Sequence, residues 1–412
     1  MDINQFRYFK NTLLILVFPL LSCVKTTNTH KSTNITAVEK IKKPIKDSII
    51  TGAQQTEAYL KLFKDKQIAV VGNPTSVVFN NKRKAIHLVD TLLSHNIKIK
   101  KVFAPEHGFR GTADAGEVVK DGLDIHTGLP IISLYGKNKK PSPKMLNGLN
   151  AVVFDIQDVG ARFYTYISTL HYVMEACAEA NIPVIILDRP NPNGFYVDGP
   201  VLDMQYKSFV GMHPVPIVHG MTIGEYAQMI NGEKWLENGI QCELKIINLK
   251  NYTHKTPYSL PIKPSPNLPN DKSINLYPSL CLFEGTKISV GRGTNMQFQV
   301  FGSPDFPHKE FSFTPKPTFG ALNPKFNTKK CYGRDLRMNV SEKLLNFTYI
   351  IETYKSIEEK TTFFNPFFTK LAGNKLLQEQ IELGLSIKKI RASWKEDLDA
   401  YKMIRKKYLL YP

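Results

Sequence analysis

The sequence predicts an α/β protein: a doubly wound, mostly parallel sheet followed by a second, smaller α+β domain. Between Gly52 and about Tyr252, short apolar runs alternate with helical patterns, which is typical of a parallel sheet covered by helices. Four of these runs end abruptly in Gly, Pro and polar residues. A proline-rich stretch, 257–269, then interrupts the alternation, and the pattern behind it is less regular. We therefore place a domain boundary after residue 256.

The predicted strands share one feature, because each ends in residues of the kind that contact ligands. The runs and their polar continuations are 68–71 with G-N-P-T-S (72–76), 101–104 with P-E-H-G-F-R-G (105–111), 151–154 with D-I-Q-D-V-G-A-R (155–162) and 184–187 with D-R-P-N-P-N-G (188–194). In an open parallel sheet, ligands bind beyond the carboxyl ends of the strands. We therefore expect these polar segments to meet in one site.

Helical patterns separate these strands. Residues 85–95 carry apolar side chains at helical spacing, and a second helix is predicted over 168–181. The spacing T-I-G-E (222–225) fits a capping box, so a third helix should begin there. In the second domain the pattern predicts helices within 341–355 and 376–408. No G-x-G-x-x-G follows the first strand, so a dinucleotide cofactor is not indicated, and we predict no cofactor.

The first residues resemble an export signal and not part of the fold. Arg7 and Lys10 precede an apolar run, 13–21, that is too short to cross a bilayer. The run ends in L-L-S-C (20–23), which looks like a bacterial lipobox, in which the cysteine is lipidated and begins the mature chain. We therefore expect residues 1–23 to be a lipoprotein signal peptide. Cys23 would then anchor an exported protein to a membrane, facing the periplasm.

The rest of the chain is predicted to form a tether and two domains. The polar stretch 24–48 should be flexible, because it offers few apolar groups to bury. Residues 49–256 would form the catalytic domain with the parallel sheet, and residues 257–412 the smaller domain that covers the cleft. With 42% hydrophobic and 22% charged residues, the composition excludes wholesale disorder.

The charge balance narrows the choice of partners. The formal net charge is +18, but the lysines are dispersed and show no motif of basic and aromatic residues. We therefore predict no nucleic-acid partner, and interpret the charge as a solvated basic surface that also suits an anionic substrate. The cysteines after Cys23 lack C-x-x-C spacing, so a zinc or redox motif is not indicated.

Glu106 is the first candidate for a catalytic acid. It follows a predicted strand, and Gly108 allows the backbone to approach a ligand closely. A carboxyl group in a partly dry cleft can serve as a proton donor. The alternative is that the Glu106 side chain only pins its loop by accepting backbone hydrogen bonds.

A second cluster follows the third strand. Alternation along the strand puts Asp155 and Gln157 on one face, with Asp158 beside them. Arg162 and Tyr164 suit carboxylate contact and stacking on a sugar, respectively. A structural aspartate–arginine pair explains Asp155 and Arg162 equally well.

Two further groups lie at predicted strand ends. Asp188 and Asn191 would stand at the mouth of the site, or else belong to a rigid turn. His219 follows the apolar run 216–218. His107 and His219 could bind a metal ion with nearby aspartates, but no metal-ligand spacing supports this, and we predict no metal.

The second domain contributes a segment of its own. L-F-E-G-T (282–286) and G-R-G-T (291–294) place Glu284, Arg292 and Thr294 in one hairpin-like segment. If this segment folds over the strand ends, the site lies in the interdomain cleft, where ligand sites are common.

Together these motifs resemble one family, the NamZ-type exo-β-N-acetylmuramidases of bacterial cell-wall recycling. To the four strand-end motifs the resemblance adds V-H-G-M-T-I-G-E-Y-A (218–227), P-S-P-N-L-P (264–269), Y-P-S-L-C-L-F-E-G-T (277–286) and V-G-R-G-T (290–294). It covers essentially the whole chain after Gly52. It implies a Rossmann-like domain, a smaller second domain and an active site between them.

The resemblance also implies an activity, the release of terminal N-acetylmuramic acid from the non-reducing end of peptidoglycan-derived saccharides. Glu106 falls on the glutamate that it favours as catalytic, and Asp158, Asp155 or Glu284 would supply the second group. Arg110, Arg162 and Arg292 are candidates for binding the lactyl carboxylate of muramic acid. The residues predicted to bind substrate are His107, Arg110, Gln157, Arg162, Tyr164, Asp188, Asn191, His219, Asn267, Arg292 and Thr294.

Two other functions remain alternatives at the level of sequence. One is a lipoprotein that binds muropeptides or glycans without cleaving them. The other is a metal-assisted deacetylase or amidase, which a chelator would inactivate. The sequence does not choose between a retaining, an inverting and a substrate-assisted glycosidase, because that choice depends on the separation of the carboxylates.

Overall fold

A computed structural model of the chain describes residues 48–80, 84–110 and 121–412. These residues belong to one compact unit, Asp47–Pro412. The predicted signal peptide, Cys23 and residues 24–47 of the tether lie outside the described residues. Within the described residues, no helix is both apolar enough and long enough to cross a membrane.

A seven-stranded sheet forms the centre of the molecule. The strands of the described residues are β1 (Gln67–Gly72), β2 (Val77–Phe79), β3 (Ala85–His87), β4 (Lys98–Ala104), β5 (Gly122–Leu123), β6 (Pro130–Ser133), β7 (Ala151–Asp155), β8 (Val184–Leu187), β9 (Asp198–Val201), β10 (Pro216–Val218), β11 (Leu244–Ile247), β12 (Val300–Ser303), β13 (Phe311–Phe313) and β14 (Cys331–Asp335). The central sheet, as far as the structure describes it, has the order β11-β8-β7-β1-β4-β6-β5, and within it only β5 pairs antiparallel. The predicted doubly wound, mostly parallel sheet is confirmed.

The strand order fixes where the polar strand ends meet. The chain starts at β1 in the middle, proceeds through β4 to β6, and then returns to the other side of β1 through β7 and β8. Such a reversal creates a crevice at the carboxyl ends of the strands. Val71, Phe103 and Phe154 pack into one core, whereas Val70, Val102 and Val153 pack into another on the opposite face of the sheet. This alternation makes both faces apolar, as in a sheet covered by helices.

Helices cover the sheet and form most of the second part of the molecule, which is the chain after the proline-rich stretch 257–269. They are α1 (Thr56–Phe63), α2 (Leu88–Ser94), α3 (Pro143–Leu146), α4 (Tyr166–Glu179), α5 (Ile223–Gly232), α6 (Asp271–Leu280), α7 (Thr348–Ser356), α8 (Phe367–Ala372), α9 (Leu376–Glu382), α10 (Ile387–Ala392) and α11 (Lys395–Lys406). The predicted helix over 168–181 is α4. Thr222 caps α5 in the predicted capping box with Glu225.

The second part contains a small antiparallel sheet, β12-β14-β13, and helices α6 to α11. This is the smaller α+β region that the sequence predicts. Helix α6 contains Pro278, which has no N–H to donate to the carbonyl of Ile274. Asn193 Nδ2 donates to that carbonyl instead, at 3.1 Å. Apolar residues of both parts, such as Phe154 and Phe301, belong to one continuous core.

Candidate active site

Glu106 is presented by a turn at the carboxyl end of β4. The amide of Gly108 donates to the carbonyl of Pro105 at 3.1 Å. His107 and Gly108 have φ angles of 70° and 76°. The left-handed region is unfavourable for a residue such as His107, and backbone strain of this kind recurs at functional sites. The turn places the half-buried Glu106 in the wall of a cavity at the sheet's carboxyl edge.

Two hydroxyl groups hold the Glu106 carboxylate. Thr165, directly before α4, donates from Oγ1 to Oε2 at 2.8 Å. Tyr135, two residues after β6, also hydrogen-bonds Glu106. Burial, followed by the charge of Glu106, raises the pKa of Tyr135 above its ordinary value, so the phenol keeps its proton and donates it. The carboxylate is therefore fixed in orientation.

A second carboxylate, Glu284, lines the same cavity. It belongs to a 3₁₀ turn, Cys281–Gly285, and accepts from Arg292 Nε at 2.5 Å and Nη2 at 3.1 Å. The guanidinium carbon of Arg292 lies 5.0 Å from the centroid of the Phe298 ring. Burial opposes the charge of Arg292, but Glu284 outweighs it and raises the pKa of Arg292 above its usual range. The pair thus presents a fixed carboxylate and a permanent cation.

Lys325 fixes the backbone that carries Glu284. Its Nζ donates to four carbonyl oxygens at 2.6–3.3 Å, those of Phe283, Glu284, Thr286 and Ile288. These carbonyls follow one another along the 3₁₀ turn and the segment behind it. One ammonium group therefore holds the whole segment in a single conformation, and with it the position of Glu284.

The cavity is small and has largely aromatic walls. Its volume is about 190 Å³, and both parts of the chain contribute to it. The lining residues are Glu106, His107, Tyr135, Phe163, Tyr164, Thr165, Tyr166, Phe209, Val210, Ser265, Asn267, Leu268, Tyr277, Cys281, Glu284, Arg292, Phe298, Phe367 and Leu371. Asn267 donates from Nδ2 to the carbonyl of Gly320 at 2.5 Å, while its buried Oδ1 has no donor among the residues described. That oxygen can accept a hydrogen bond from a ligand.

Asp155 does not line the cavity. It is fully buried under the strand ends and accepts from Arg189 Nε at 2.6 Å and Nη2 at 2.9 Å. Burial raises the pKa of Asp155, and the charge of Arg189 opposes that shift. The structure therefore places Asp155 in a buried ion pair that connects β7 to the segment after β8.

Gln157, Asp158 and His219 form a buried group that is also outside the lining. Gln157 donates from Nε2 to the carbonyls of Asp158 and Pro190 at 2.8 and 2.6 Å. His219 Nε2 lies 3.6 Å from Asp158 Oδ2. Asp158 Oδ1 has no donor within the described part of the chain. In that same part, no three His, Cys, Asp or Glu side chains are grouped so as to hold a metal ion.

Arg162 binds backbone and lies outside the lining. Its guanidinium is completely buried, and Nη1 donates to the carbonyls of Pro200 and Val215, both at 2.8 Å. Nη2 donates to the carbonyls of Leu371 and Ala372 at 2.9 and 2.8 Å. Two of these acceptors precede the proline-rich connector and two follow it, so the side chain links the two parts of the molecule.

Asp188 and Asn191 are likewise buried in structural contacts. Asp188 Oδ2 accepts from Tyr411 at 2.6 Å and from Thr222 Oγ1 at 2.8 Å. Asn191 donates from Nδ2 to the carbonyl of Met221 at 2.9 Å. Both side chains bind the segment that leads into α5, and neither lines the cavity.

The side chains of Arg110 and Thr294 make contacts outside the cavity lining. Arg110 pairs with Asp90 at 2.9 Å and with Asp124 at 2.7 Å. Burial raises the pKa of Asp124, but hydrogen bonds from Arg110 and Thr127 outweigh it and lower the pKa to about 2. Thr294 donates to the carbonyl of Gly291 at 2.7 Å, which stabilises the turn around Arg292. Among the described residues, Arg292 is thus the one of the three predicted carboxylate-binding arginines that lines the cavity.

The structure brings together six of the predicted site residues. They are Glu106, His107, Tyr164, Asn267, Glu284 and Arg292. Sequence reasoning missed Tyr135, Thr165, Phe209 and Phe298. Two of these had a signal, because Tyr135 follows the apolar run P-I-I-S-L (130–134) and Thr165 directly precedes the helical pattern of α4. Phe209 and Phe298 lie in irregular segments without such a signal.

The arrangement defines a class of protein before any comparison is made. Two carboxylates in one cavity with largely aromatic walls are typical of enzymes that hydrolyse glycosidic bonds. Tyrosine and phenylalanine rings suit the apolar faces of sugars. The fold and the site together are those of a two-part α/β glycosidase.

Comparison with known proteins gives the family. Models of the N-terminal and C-terminal parts of the exo-β-N-acetylmuramidase NamZ match residues 68–272 and 275–411. The chain therefore belongs to the NamZ family of exo-β-N-acetylmuramidases. The peptidoglycan β-N-acetylmuramidase NamZ of Bacillus subtilis (strain 168) is 40% identical over 375 residues, which cover 86% of this chain and 89% of the relative.

Two solved structures share the fold. A crystal structure of a DUF1343 family protein from Bacteroides fragilis NCTC 9343 is 47% identical with a TM-score of 0.81, covering 89% of this chain and 99% of that one. A second DUF1343 family protein from the same organism is 28% identical with a TM-score of 0.73, covering 88% and 99% of the two chains. The fold is therefore that of these two structures.

Proposed function

We propose that the protein is an exo-acting glycosidase. It hydrolyses the β-1,4 bond that follows a non-reducing terminal N-acetylmuramic acid in fragments derived from peptidoglycan. The observation that carries this proposal is the cavity in which Glu106, held by Tyr135 and Thr165, shares the walls with the Glu284–Arg292 pair. Family membership supports the reaction, and the Bacillus subtilis relative supports the sugar.

Glu106 acts as the acid in this proposal. Its carboxyl proton passes to the glycosidic oxygen while the bond from that oxygen to the anomeric carbon breaks, and the leaving saccharide departs with a free hydroxyl group. Water then adds to the anomeric carbon and returns a proton to Glu106. General acid catalysis of this kind contributes about 10²–10⁴-fold to the rate.

Glu284 is the proposed second group, since it lines the cavity and Asp155 and Asp158 do not. Arg292 fixes its carboxylate, which can stabilise positive charge on the sugar ring or activate water. The acetamido group of the substrate is the alternative nucleophile. In that case Glu284 would orient the acetamido group and not attack the sugar itself.

Arg292 is proposed to bind the lactyl carboxylate, the group that distinguishes muramic acid from glucosamine. Glu284 engages Nε and Nη2, so Nη1 is left for a ligand. A guanidinium group binds carboxylates through strong, oriented hydrogen bonds. The Oδ1 atom of Asn267 is available to accept from a hydroxyl or an acetamido N–H.

The test compares wild type with Glu106→Gln on two chromogenic substrates, a β-glycoside of N-acetylmuramic acid and its N-acetylglucosamine counterpart. We expect the wild type to release the chromophore from the muramic substrate alone. Glu106→Gln keeps the shape but removes the acid, so kcat/KM should fall by about 10²-fold or more. The exposed variant Glu352→Gln, outside the cavity, is the control and should match the wild type.

Other outcomes point to other functions. Full activity in Glu106→Gln would move the acid to another residue. Cleavage of neither glycoside, with binding of muramic saccharides intact, would favour a non-catalytic binding protein. Release of acetate, or inactivation by a chelator, would favour the deacetylase or amidase.

We also propose that the protein is an exported lipoprotein, anchored through Cys23 and facing the periplasm. The support is the apolar run 13–21 and the motif L-L-S-C (20–23). Labelling cells with a radioactive or clickable fatty acid should mark the wild type and not Cys23→Ala. Equal labelling of both proteins would contradict the proposal.

A further inference from the structure

A cluster of aromatic side chains extends from the cavity toward solvent. Phe209 lines the cavity, and the centroid of its ring lies 6.1 Å from that of Tyr135 and 6.3 Å from that of Tyr172. The rings of Phe209 and Tyr172 are within 18° of parallel. All three side chains are partly exposed. We name Tyr135, Phe209 and Tyr172 the aromatic shelf.

The backbone holds the shelf in place. Ser168 donates from Oγ to the carbonyl of Phe209 at 2.7 Å. Ser208 and Gly211 exchange two backbone hydrogen bonds, of 2.8 and 3.0 Å, and so close a tight turn around Phe209. Tyr172 lies one helical turn after Ser168 on α4, the helix that follows Thr165 and therefore also supports Glu106. The shelf and the acid thus share one rigid support.

Tyr135 is the shelf residue that contacts Glu106, the proposed acid. It hydrogen-bonds Glu106 and also contacts the ring of Phe209. The proton of Glu106 goes to the oxygen that connects the terminal sugar to the next sugar. The saccharide that leaves keeps that oxygen. A partly exposed surface that begins at Glu106 and leads out of the cavity is therefore placed to contact the leaving saccharide. The Glu284–Arg292 pair lines the cavity that would hold the terminal sugar, whereas Tyr172 lies beyond the cavity lining.

We propose that the aromatic shelf binds the saccharide on the leaving side of the scissile bond. The proposal rests on the glycosidase function. A β-linked glucosamine ring carries its substituents at the ring edge, so its C–H faces are apolar and pack on aromatic rings. Lys139, whose Nζ lies 4.6 Å from the centroid of Phe209, has a long flexible side chain that can move aside when the sugar binds. The shelf makes the enzyme select substrates with a second sugar.

The experiment measures binding without turnover. In the Glu106→Gln protein, isothermal titration gives Kd for N-acetylmuramic acid and for its β-1,4 disaccharide with N-acetylglucosamine. We expect the disaccharide to bind more tightly than the monosaccharide. Adding Phe209→Ala or Tyr172→Ala should weaken the disaccharide about five- to tenfold. Tyr172→Ala, which lies outside the cavity lining, should leave the monosaccharide Kd within about twofold, and that constancy also shows that the variant is folded.

Phe195→Ala is the control, because Phe195 is an exposed phenylalanine that lies outside the cavity lining. It should change neither Kd. Equal weakening of both ligands in Tyr172→Ala, or no weakening of the disaccharide in either shelf variant, would overturn the proposal. Failure of the glycosidase function gives a different result, since the wild type would then release no muramic acid from any glycoside.

Discussion

At the scale of single residues, the molecule separates charges that meet ligands from charges that hold the fold. Glu106, Glu284 and Arg292 line the cavity, whereas Asp155 and Asp188 are completely buried. Both kinds are ionisable groups close to the carboxyl ends of strands. What distinguishes them is burial, because Glu106 and Glu284 also have hydroxyl and arginine partners but remain partly exposed in the cavity wall. The buried aspartates are held by an arginine, hydroxyl groups and backbone amides, and have no route to a ligand.

The role of Arg292 in substrate choice leads to a prediction. Arg292→Gln should reduce the ratio of kcat/KM values for the muramic and glucosamine glycosides by about tenfold or more, since a charge-assisted contact to the lactyl carboxylate is lost. Release of Glu284 from its partner would affect both substrates alike, so the ratio is the informative quantity. Arg334→Gln removes an exposed arginine outside the cavity and should leave the ratio unchanged. An unchanged ratio in Arg292→Gln would assign the carboxylate to another group.

The sequence could identify these residue types but not their orientation. Glu106 and Glu284 were predicted as candidates and line the cavity, as do His107 and Arg292. Asp155 was predicted from the same strand-end pattern, yet its side chain is buried in an ion pair with Arg189 and does not line the cavity. That contact joins residues 34 positions apart, and it depends on how β7 and the segment after β8 pack. No local pattern encodes such a contact.

At the scale of elements, the start of α5 is the point where several segments are joined. Thr222 caps the helix, and Asp188 accepts from Thr222 Oγ1 at 2.8 Å and from the amide of Gly224 at 2.9 Å. Burial raises the pKa of Asp188 to about 6, against hydrogen bonds that lower it. The carboxylate therefore stabilises the positive end of the helix at some cost in desolvation.

This pKa gives a pH dependence with a definite sign. Between the unfolded value of 3.8 and the folded value of about 6, the folded protein holds more protons than the unfolded chain. The contribution of Asp188 to the free energy of unfolding is therefore complete below pH 4 and is lost as the pH rises through 6. Relative to Asp188→Asn, the wild type should lose about 1 to 3 kcal/mol between pH 4 and pH 7.

Urea unfolding at the two pH values measures this difference. Asp65→Asn is the control, because Asp65 is exposed and lies in a left-handed turn that asparagine also tolerates. An exposed substitution of this kind should change the free energy of unfolding by less than about 0.5 kcal/mol at either pH. A parallel pH dependence of wild type and Asp188→Asn would show that Asp188 does not titrate in this range.

Among the elements, those with a strong local signal were predicted well. The capping box at Thr222 and the strands 151–154 and 184–187 are where the sequence places them. The pattern at 85–95 was predicted as one helix, but its first three residues form β3, which pairs with β2. Helix α6 was missed, since it follows a proline-rich stretch and contains Pro278. Its stability depends on Asn193, which is distant in sequence.

At the scale of the whole molecule, Arg162 holds the two parts of the chain together. Replacing it with leucine would remove a hydrogen-bond donor from four buried carbonyls, of which that of Val215 keeps the amide of Leu202. We expect Arg162→Leu to lower the free energy of unfolding by about 3 kcal/mol or more in urea titrations. Arg162→Lys keeps a charge and some donors, so its stability should lie between the two. A leucine variant as stable as the wild type would show that the carbonyls find other partners.

The contact between Asp188 and Tyr411 has a consequence for the order of events during synthesis. The two residues are 223 positions apart, and the Tyr411 hydroxyl also accepts from the amide of Leu249 at 2.9 Å. A growing chain exposes all strands of the large sheet long before residue 411 leaves the ribosome. Until then the buried Asp188 carboxyl group lacks one of its hydrogen-bond donors and the Leu249 amide lacks this acceptor, which is costly. We therefore expect the nascent sheet to stay loose and to close only when its most distant partner arrives.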